Sequence, residues 1–154
     1  MAIYLVQHGQ SLPEEVDPQR HLSPEGEKEV RQMAAWAAAR RLPVRRIVHS
    51  GKERARQTAE LYAKALTPPG GVAERSGLAP LDDPQPVAAW LEHEQGVMIV
   101  GHQPFLGRLA SLLLTGSPDP PVVAFSYAGI VCLQRSKEQP GWLIHWAAPP
   151  LLIG

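Results

Sequence analysis

Two histidines each stand at the end of a short apolar run, next to a glycine. His8 follows IYLVQ, residues 3–7, and His102 follows VMIVG, residues 97–101. The apolar runs predict buried strands, and the carboxyl ends of parallel strands form the edge of a sheet where ligands bind. Arg54 stands in the first turn of a predicted helix, where free backbone N–H groups favour an anion. If these residues converge, they suit a phosphoryl group: one imidazole can attack phosphorus while the other imidazole and the guanidinium hold the oxygens.

Each of these residues also has an ordinary structural interpretation. A histidine at a strand end is often a capped or solvated residue, and Arg54 and Arg56 could be exposed charges of an amphipathic helix. The remaining histidines lack the spacing of metal ligands, so we expect them on the surface or in loops and expect no metal site. They are His21, His49, His93 and His145.

Four helices are predicted from apolar spacing and from capping residues. Ser23 is the expected N-cap of the first helix, and Pro24 is its first residue. Ser50 and Glu53 have the spacing of a capping box, which predicts that the second helix begins close to Ser50. The third helix is predicted from Pro86 to about Glu94, and the fourth follows HQP with the buried stripe Leu106, Leu109, Ala110 and Leu113.

The predicted strands alternate with these helices. Their apolar runs lie at residues 2–6, 44–50, 97–101, 122–125, 129–135 and 142–147. The segment from TPPGG to about Pro86 is rich in breakers and predicts a loop with at most one short strand. The alternation implies a mostly parallel sheet covered on both faces, with antiparallel strands at one edge. We therefore expect a three-layer α/β/α sandwich, in a single domain spanning residues 1–154.

The composition excludes several classes of function. Fifteen Lys and Arg balance fifteen Asp and Glu, so no general attraction to nucleic acid or anionic membrane is expected. No apolar run is long enough to span a membrane, and because the sequence leads straight into a predicted strand we expect no secretory signal. The single cysteine, Cys132, lies in an apolar run and predicts a buried thiol in a reducing compartment. We expect a cytoplasmic protein; its oligomeric state is left open.

Four motifs in order resemble those of the histidine phosphatase superfamily, whose members have the phosphoglycerate-mutase-like fold. The motifs are LVQHG, LSPEG, HSGKERARQTA and VGHQP, and the resemblance spans about residues 2 to 115. The short length and the small segment between Ala65 and Val97 are most similar to the short bacterial phosphohistidine phosphatases, the SixA-like branch. The resemblance implies a phosphatase that needs no metal and no cofactor.

The resemblance also implies roles for individual residues. His8 is the nucleophile that forms a phosphohistidine, and Arg54 and His102 bind the phosphoryl oxygens. Gly9 allows close approach of the phosphate, and Arg20 falls where the short branch has an arginine near the pocket mouth. Gln7 and Ser50 are the other expected substrate-binding residues.

The sequence departs from the family pattern at Gln7, where the family usually has arginine. Losing one charge-assisted hydrogen bond costs roughly 1.5–3 kcal/mol, on the order of ten- to a few hundredfold in rate unless Arg20 or Arg56 compensates. The long insertion that supplies a glutamate acid in larger branches is also missing, and Asp82 and Asp83 are weak substitutes. A phosphoramidate needs a strong acid less than an ester does.

We therefore expect hydrolysis of phosphohistidine in a protein. A small-metabolite phosphomonoesterase and a weakened, phosphate-binding relative are the alternatives.

Overall fold

A computed structural model describes residues 2–153 of the chain, which form one mixed sheet between two layers of helices. The strands are β1 (Ala2–Gln7), β2 (Arg46–His49), β3 (Val72–Glu74), β4 (Val97–Gly101), β5 (Ile130–Arg135) and β6 (Trp142–Ala148). The helices are α1 (Pro24–Ala39), α2 (Glu53–Leu66), α3 (Gln85–Leu91) and α4 (Phe105–Thr115), and a short 3-10 helix covers Pro150–Leu152.

The sheet has the strand order β3-β2-β4-β1-β5-β6. Strands β3, β2, β4 and β1 are parallel, whereas β5 runs antiparallel to both β1 and β6. This arrangement confirms the expected α/β fold with a mostly parallel sheet and an antiparallel edge. Because the four parallel strands share a direction, their carboxyl ends and the loops that follow them lie along one edge of the sheet.

Alternate residues of β1 contribute to two separate cores. Tyr4 and Val6 pack with α1 and α2 on one face, and Ile3 and Leu5 pack with α3 and α4 on the other. This period of two follows from the pleat of a strand. The central strands are therefore buried on both faces, which explains why their sequences read as continuous apolar runs.

Helix α1 begins as predicted and packs tightly on the loop that follows β1. Ser23 is its N-cap, the Ser23 Oγ accepts a hydrogen bond from the Gly26 N–H at 3.0 Å, and Pro24 is the first helical residue. A Cβ at Gly26 would overlap the carbonyl oxygen of Gln10. The first turn of α1 and the chain at Gln10 are thus in direct contact, with no space for a side chain between them.

The second and third helices are shorter than predicted. Helix α2 begins at Glu53 with Lys52 as its N-cap, and no side chain caps it. The prediction of a capping box at Ser50 is therefore wrong, because the Ser50 hydroxyl is hydrogen-bonded elsewhere. Helix α3 ends at Leu91, three residues before the predicted end.

Residues 122–125 and His49 also differ from prediction. Residues 122–125 are not a strand; Val123 and Phe125 pack partly buried against the core beside α3 and α4, without a neighbouring strand to pair with. His49 is not on the surface but buried at the end of β2. Its ring Nδ1 accepts a hydrogen bond from the Gly51 N–H at 3.1 Å.

Two further features agree with the sequence. The short strand allowed between residues 67 and 86 is β3. Cys132 is buried and free of any disulfide.

Within residues 2–153, no helix has both the length and the apolar composition to cross a membrane.

Candidate active site

His8 and His102 lie side by side at the carboxyl edge of the sheet. Strands β1 and β4 are parallel neighbours with Gln7 opposite Gly101, so the next residue of each strand leaves the sheet at the same level. The two imidazole centroids are 5.1 Å apart. Only 6% of His8 and 2% of His102 is exposed. The two rings thus form one wall of a shared site.

The ring of His8 is held in one tautomer. Its Nδ1 is 2.6 Å from the carbonyl oxygen of Gly9, and a carbonyl can only accept, so Nδ1 must carry the proton and donate it. Burial, together with the nearby positive charges of Arg54 and Arg20, lowers the pKa of His8 to about 4. Near neutral pH the ring is therefore uncharged, and its Nε2 has a free lone pair.

His102 is oriented by the loop that precedes α2. Its Nε2 is 2.6 Å from the Ser50 Oγ, which also accepts a long hydrogen bond of 3.4 Å from the Lys52 N–H. With the Lys52 N–H on its oxygen, the Ser50 hydroxyl can donate to Nε2, which leaves the proton of the neutral ring on Nδ1. That Nδ1 is buried and has no hydrogen-bond partner. It is a donor available to a ligand.

Two guanidinium groups act electrostatically on this pair of rings. Burial and then the charges of His8, Arg54, Lys52 and Arg20 lower the pKa of His102 to about 3. Burial and the charge of Arg20 lower the pKa of Arg54 itself. The Nε atoms of Arg54 and Arg20 are buried without partners. Both arginines thus place positive charge and an unused donor near the two rings, an arrangement suited to an oxyanion.

A family comparison agrees with this geometry. Residues 3–79, which make up half of the chain, match the family model "Histidine phosphatase superfamily (branch 1)". The chain belongs to the histidine phosphatase superfamily. No curated protein matches it by sequence.

Solved structures resemble this histidine phosphatase over its whole length. The protein histidine phosphatase SixA complexed with tungstate is 24% identical, with 100% of both chains covered and a TM-score of 0.86. A SixA protein of Agrobacterium tumefaciens assigned as a phosphohistidine phosphatase is 22% identical, with 97% of both chains covered and a TM-score of 0.76. A mycobacterial glucosyl-3-phosphoglycerate phosphatase complexed with VO3 is 16% identical, covering 96% of this chain and 99% of that one, with a TM-score of 0.71. At these identities the likeness establishes the phosphoglycerate-mutase-like fold and nothing finer. Strand β4 and His102 lie outside residues 3–79, which match the family model, but within the part of the chain that the solved structures cover.

Helix packing explains the glycine at position 9, which the sequence alone does not reveal. A Cβ at Gly9 would be 2.6 Å from the Val30 Cγ2 of α1, so the close packing of that helix requires glycine here. The Gly9 N–H donates to the Thr58 Oγ1 at 3.0 Å, and this hydroxyl donates to the Arg54 carbonyl at 2.8 Å. Thr58 therefore ties the end of β1 to the turn of α2 that carries Arg54.

Gln7 adds no charge to this histidine phosphatase site. Its residue is half-buried at the end of β1, and its carbonyl accepts a hydrogen bond from the Ala128 N–H at 2.9 Å. Arg56 does not replace the family arginine, because its guanidinium binds the carboxylates of Glu53 and Glu60 at 2.5–2.8 Å. Of the two candidates for compensation, Arg20 is the one whose charge acts on His8 and His102.

The two candidate acids are used in local structure. Asp82 accepts a hydrogen bond from the Ala79 N–H at 2.9 Å, and Asp83 accepts one from the Gln85 N–H at 3.0 Å. Both carboxylates thus fix the turns before α3. Neither has a hydrogen bond or ion pair with His8 or His102.

Sequence reasoning missed Tyr127 and Thr58. The Tyr127 ring centroid is 5.6 Å from that of His8, and 46% of the residue is exposed. Nothing in the surrounding segment marks Tyr127, because it reaches the site through a single bridge to Gln7. Thr58 could have been found, since it stands four residues after Arg54 and so on the same face of α2.

The lowered pKa values predict how the site titrates. In the free protein, ring-proton NMR should show His8 and His102 titrating below pH 5 rather than near the ordinary value of about 6.5. Saturating tungstate should move both midpoints upward, because its negative charge stabilises the imidazolium forms. Midpoints near 6.5 without anion would contradict the buried, cation-facing environment described here.

The bond between Ser50 and His102 predicts a second result. Ser50→Ala should remove the constraint on the His102 tautomer and lower kcat/KM on the order of five- to thirtyfold, the range for one lost hydrogen bond in a polar site. Ser50→Thr, which keeps the hydroxyl, should restore most of it. ¹⁵N chemical shifts of His102 report the tautomer directly. If Ser50→Ala leaves both these shifts and kcat/KM unchanged, the hydroxyl does not orient the ring.

Proposed function

We propose that this histidine phosphatase hydrolyses phosphohistidine in a protein, through a covalent phosphoryl intermediate on His8. The observation that carries the proposal is the hydrogen bond from the His8 Nδ1 to the Gly9 carbonyl at 2.6 Å. This bond leaves the lone pair of a neutral ring on Nε2, and an imidazole in that form can attack phosphorus.

The reaction has two displacements at phosphorus. In the first, the His8 Nε2 forms a bond to phosphorus while the bond to the leaving nitrogen breaks, and that nitrogen keeps the electron pair and takes a proton from solvent. In the second, a water oxygen bonds to phosphorus and the water gives up a proton to solvent, while the bond from phosphorus to the His8 Nε2 breaks. The Nε2 keeps the electron pair, and inorganic phosphate is the product. Arg54, Arg20 and the His102 Nδ1 supply donors for the phosphoryl oxygens in both steps.

A substrate with a nitrogen leaving group suits this site, because neither candidate acid is placed to protonate a leaving oxygen. The leaving nitrogen of phosphohistidine is readily protonated, whereas the alkoxide of a phosphate ester depends on an enzyme acid. The two candidate acids, Asp82 and Asp83, instead accept hydrogen bonds from backbone N–H groups close to them in the chain. The SixA structures among the neighbours support the same substrate class. The arginines supply the charge that a metal would otherwise provide, so we propose a metal-independent reaction.

Two alternatives have specific support. The likeness to glucosyl-3-phosphoglycerate phosphatase favours a small phosphomonoester as substrate. Gln7, uncharged where the family has arginine, favours a relative that binds phosphorylated ligands with little turnover. We place the enzyme in the cytoplasm, in keeping with its buried, unpaired Cys132.

A phosphate-release screen without added metal separates these functions. Substrates are a phosphohistidine-bearing protein, p-nitrophenyl phosphate and a panel of sugar and nucleotide phosphates, each assayed with EDTA. We expect the highest kcat/KM on the phosphohistidine protein. A higher value on a metabolite would establish the phosphomonoesterase alternative, and tungstate binding without turnover on any substrate would establish the weakened relative.

A further inference from the structure

Arg20 reaches the site from a loop in a conformation that must be held. The loop connects β1 to α1, and Arg20 has a φ of 52°, in the left-handed region that residues with a Cβ rarely adopt. The Arg20 N–H donates to the Asp17 carbonyl at 2.8 Å. Its guanidinium donates to the neutral Ser11 Oγ at 3.1 Å. These contacts alone offer no negative charge to Arg20.

The Asp17 carboxylate fixes the chain on both sides of Arg20. Its Oδ1 accepts a hydrogen bond from the Gln19 N–H at 3.1 Å. Its Oδ2 accepts one from the His21 N–H at 2.9 Å and lies 2.7 Å from the His21 Nδ1. The hydrogen bonds of His21 lower the pKa of Asp17, so the carboxylate is ionised near neutral pH.

His21 in turn connects the loop to the helix that carries Arg54. The His21 Nε2 is 3.3 Å from the Glu53 Oε2, and Glu53 is the first residue of α2. The Glu53 carboxylate is itself held by Arg56, with the shorter contact at 2.5 Å. The contacts thus run without a break from the backbone around Arg20 to the residue directly before Arg54.

We propose that Asp17, His21 and Glu53 form a clamp that positions Arg20 beside Arg54 at the phosphoryl site, an inference that rests on the proposed function of that site. Two guanidinium groups that face the same ligand repel each other when the site is empty. Holding them together therefore requires contacts outside the site, and the clamp supplies these from the solvent side. Its members are positioning residues, since their hydrogen bonds go to the loop and to α2.

The clamp is tested by a double-mutant cycle with tungstate as the ligand. Asp17→Asn and His21→Ala are each made in the wild-type and in the Arg20→Ala background, and the Kd for tungstate is measured by calorimetry. Each change should weaken binding on the order of three- to twentyfold when Arg20 is present and less than about twofold when it is absent, because coupled residues are not additive. The matched control is Glu27→Gln, which removes an exposed carboxylate that binds Arg31 at 2.7 Å and should change the Kd less than about twofold in both backgrounds.

Two results would overturn the clamp. One is an equal loss of tungstate affinity in both backgrounds, which would mean that the loop acts independently of Arg20. The other is no loss from either change in a protein whose melting temperature is unaltered. Because tungstate binding needs no turnover, a protein that releases no phosphate would refute the proposed function while the cycle still decides the clamp.

Discussion

Replacing His8 with alanine is expected to abolish phosphate release, with a loss on the order of a thousandfold or more in kcat. The reason is that His8 is the one residue of the site whose ring nitrogen is both unprotonated and free: its Nδ1 proton is committed to Gly9, whereas the His102 Nε2 is bound to Ser50. Rapid quenching of the wild-type enzyme with a labelled phosphohistidine protein should trap an acid-labile phosphoryl group. The same experiment with His8→Ala should trap none.

The control for this experiment is His145→Ala. His145 is exposed on β6, at the antiparallel end of the sheet, so activity and labelling should stay within about twofold of wild type. Tungstate affinity of His8→Ala should also be measured, because retained binding shows that the site is intact. Appreciable turnover or labelling in His8→Ala would eliminate His8 as the nucleophile.

Arg20→Ala is expected to lower kcat/KM on the order of ten- to a few hundredfold, the effect of one charge-assisted contact to the phosphoryl group. In that background Gln7→Arg should recover a large part of the loss, since it returns a charge to the position where the family has one. In the wild-type background Gln7→Arg should change kcat/KM less than about threefold, because Arg20 already supplies the charge.

The four proteins of this cycle also define the outcomes that contradict it. Strictly additive effects, with no coupling between positions 7 and 20, would show that Arg20 does not stand in for the missing arginine. A gain of about tenfold or more from Gln7→Arg alone would identify Gln7 as a lesion in a working site. Arg31→Ala, whose guanidinium binds the Glu27 carboxylate on the exposed face of α1 at 2.7 Å, serves as the arginine control and should have little effect.

The placement of the two histidines was predictable because it depends on strong local signals. Continuous apolar runs identified β1 and β4, and a parallel sheet brings the residues after such strands to one edge. The expected placement of Arg54 at an anion site followed from its position in the first turn of a helix. These conclusions need only the type of each element and the direction of the strands.

What the sequence could not predict depends on the direction of individual side chains. Arg20 and Arg56 were equal candidates to replace the family arginine, because the sequence does not show which way an arginine side chain points. Only the structure shows that Arg56 is paired with glutamates on the outer face of α2. Ser50 and Glu53 have the spacing of a capping box. The Ser50 hydroxyl is instead hydrogen-bonded to the ring of His102, which is 52 residues away in the chain. Residues 122–125 have the composition of a strand and cover the core without pairing, which no local pattern distinguishes.

The contact between Gly26 and Gln10 limits how this protein can change over evolutionary time. Any side chain at position 26 overlaps the Gln10 carbonyl, and Gln10 begins the segment that leads to Arg20. A substitution at position 26 has to be accommodated by moving either the first turn of α1 or that segment, and moving the segment displaces Arg20, the cation that we propose binds the phosphoryl group. Gly26 belongs to α1 and not to the candidate site, yet its contact with Gln10 connects the two, so the start of α1 and the loop before it can diverge only together.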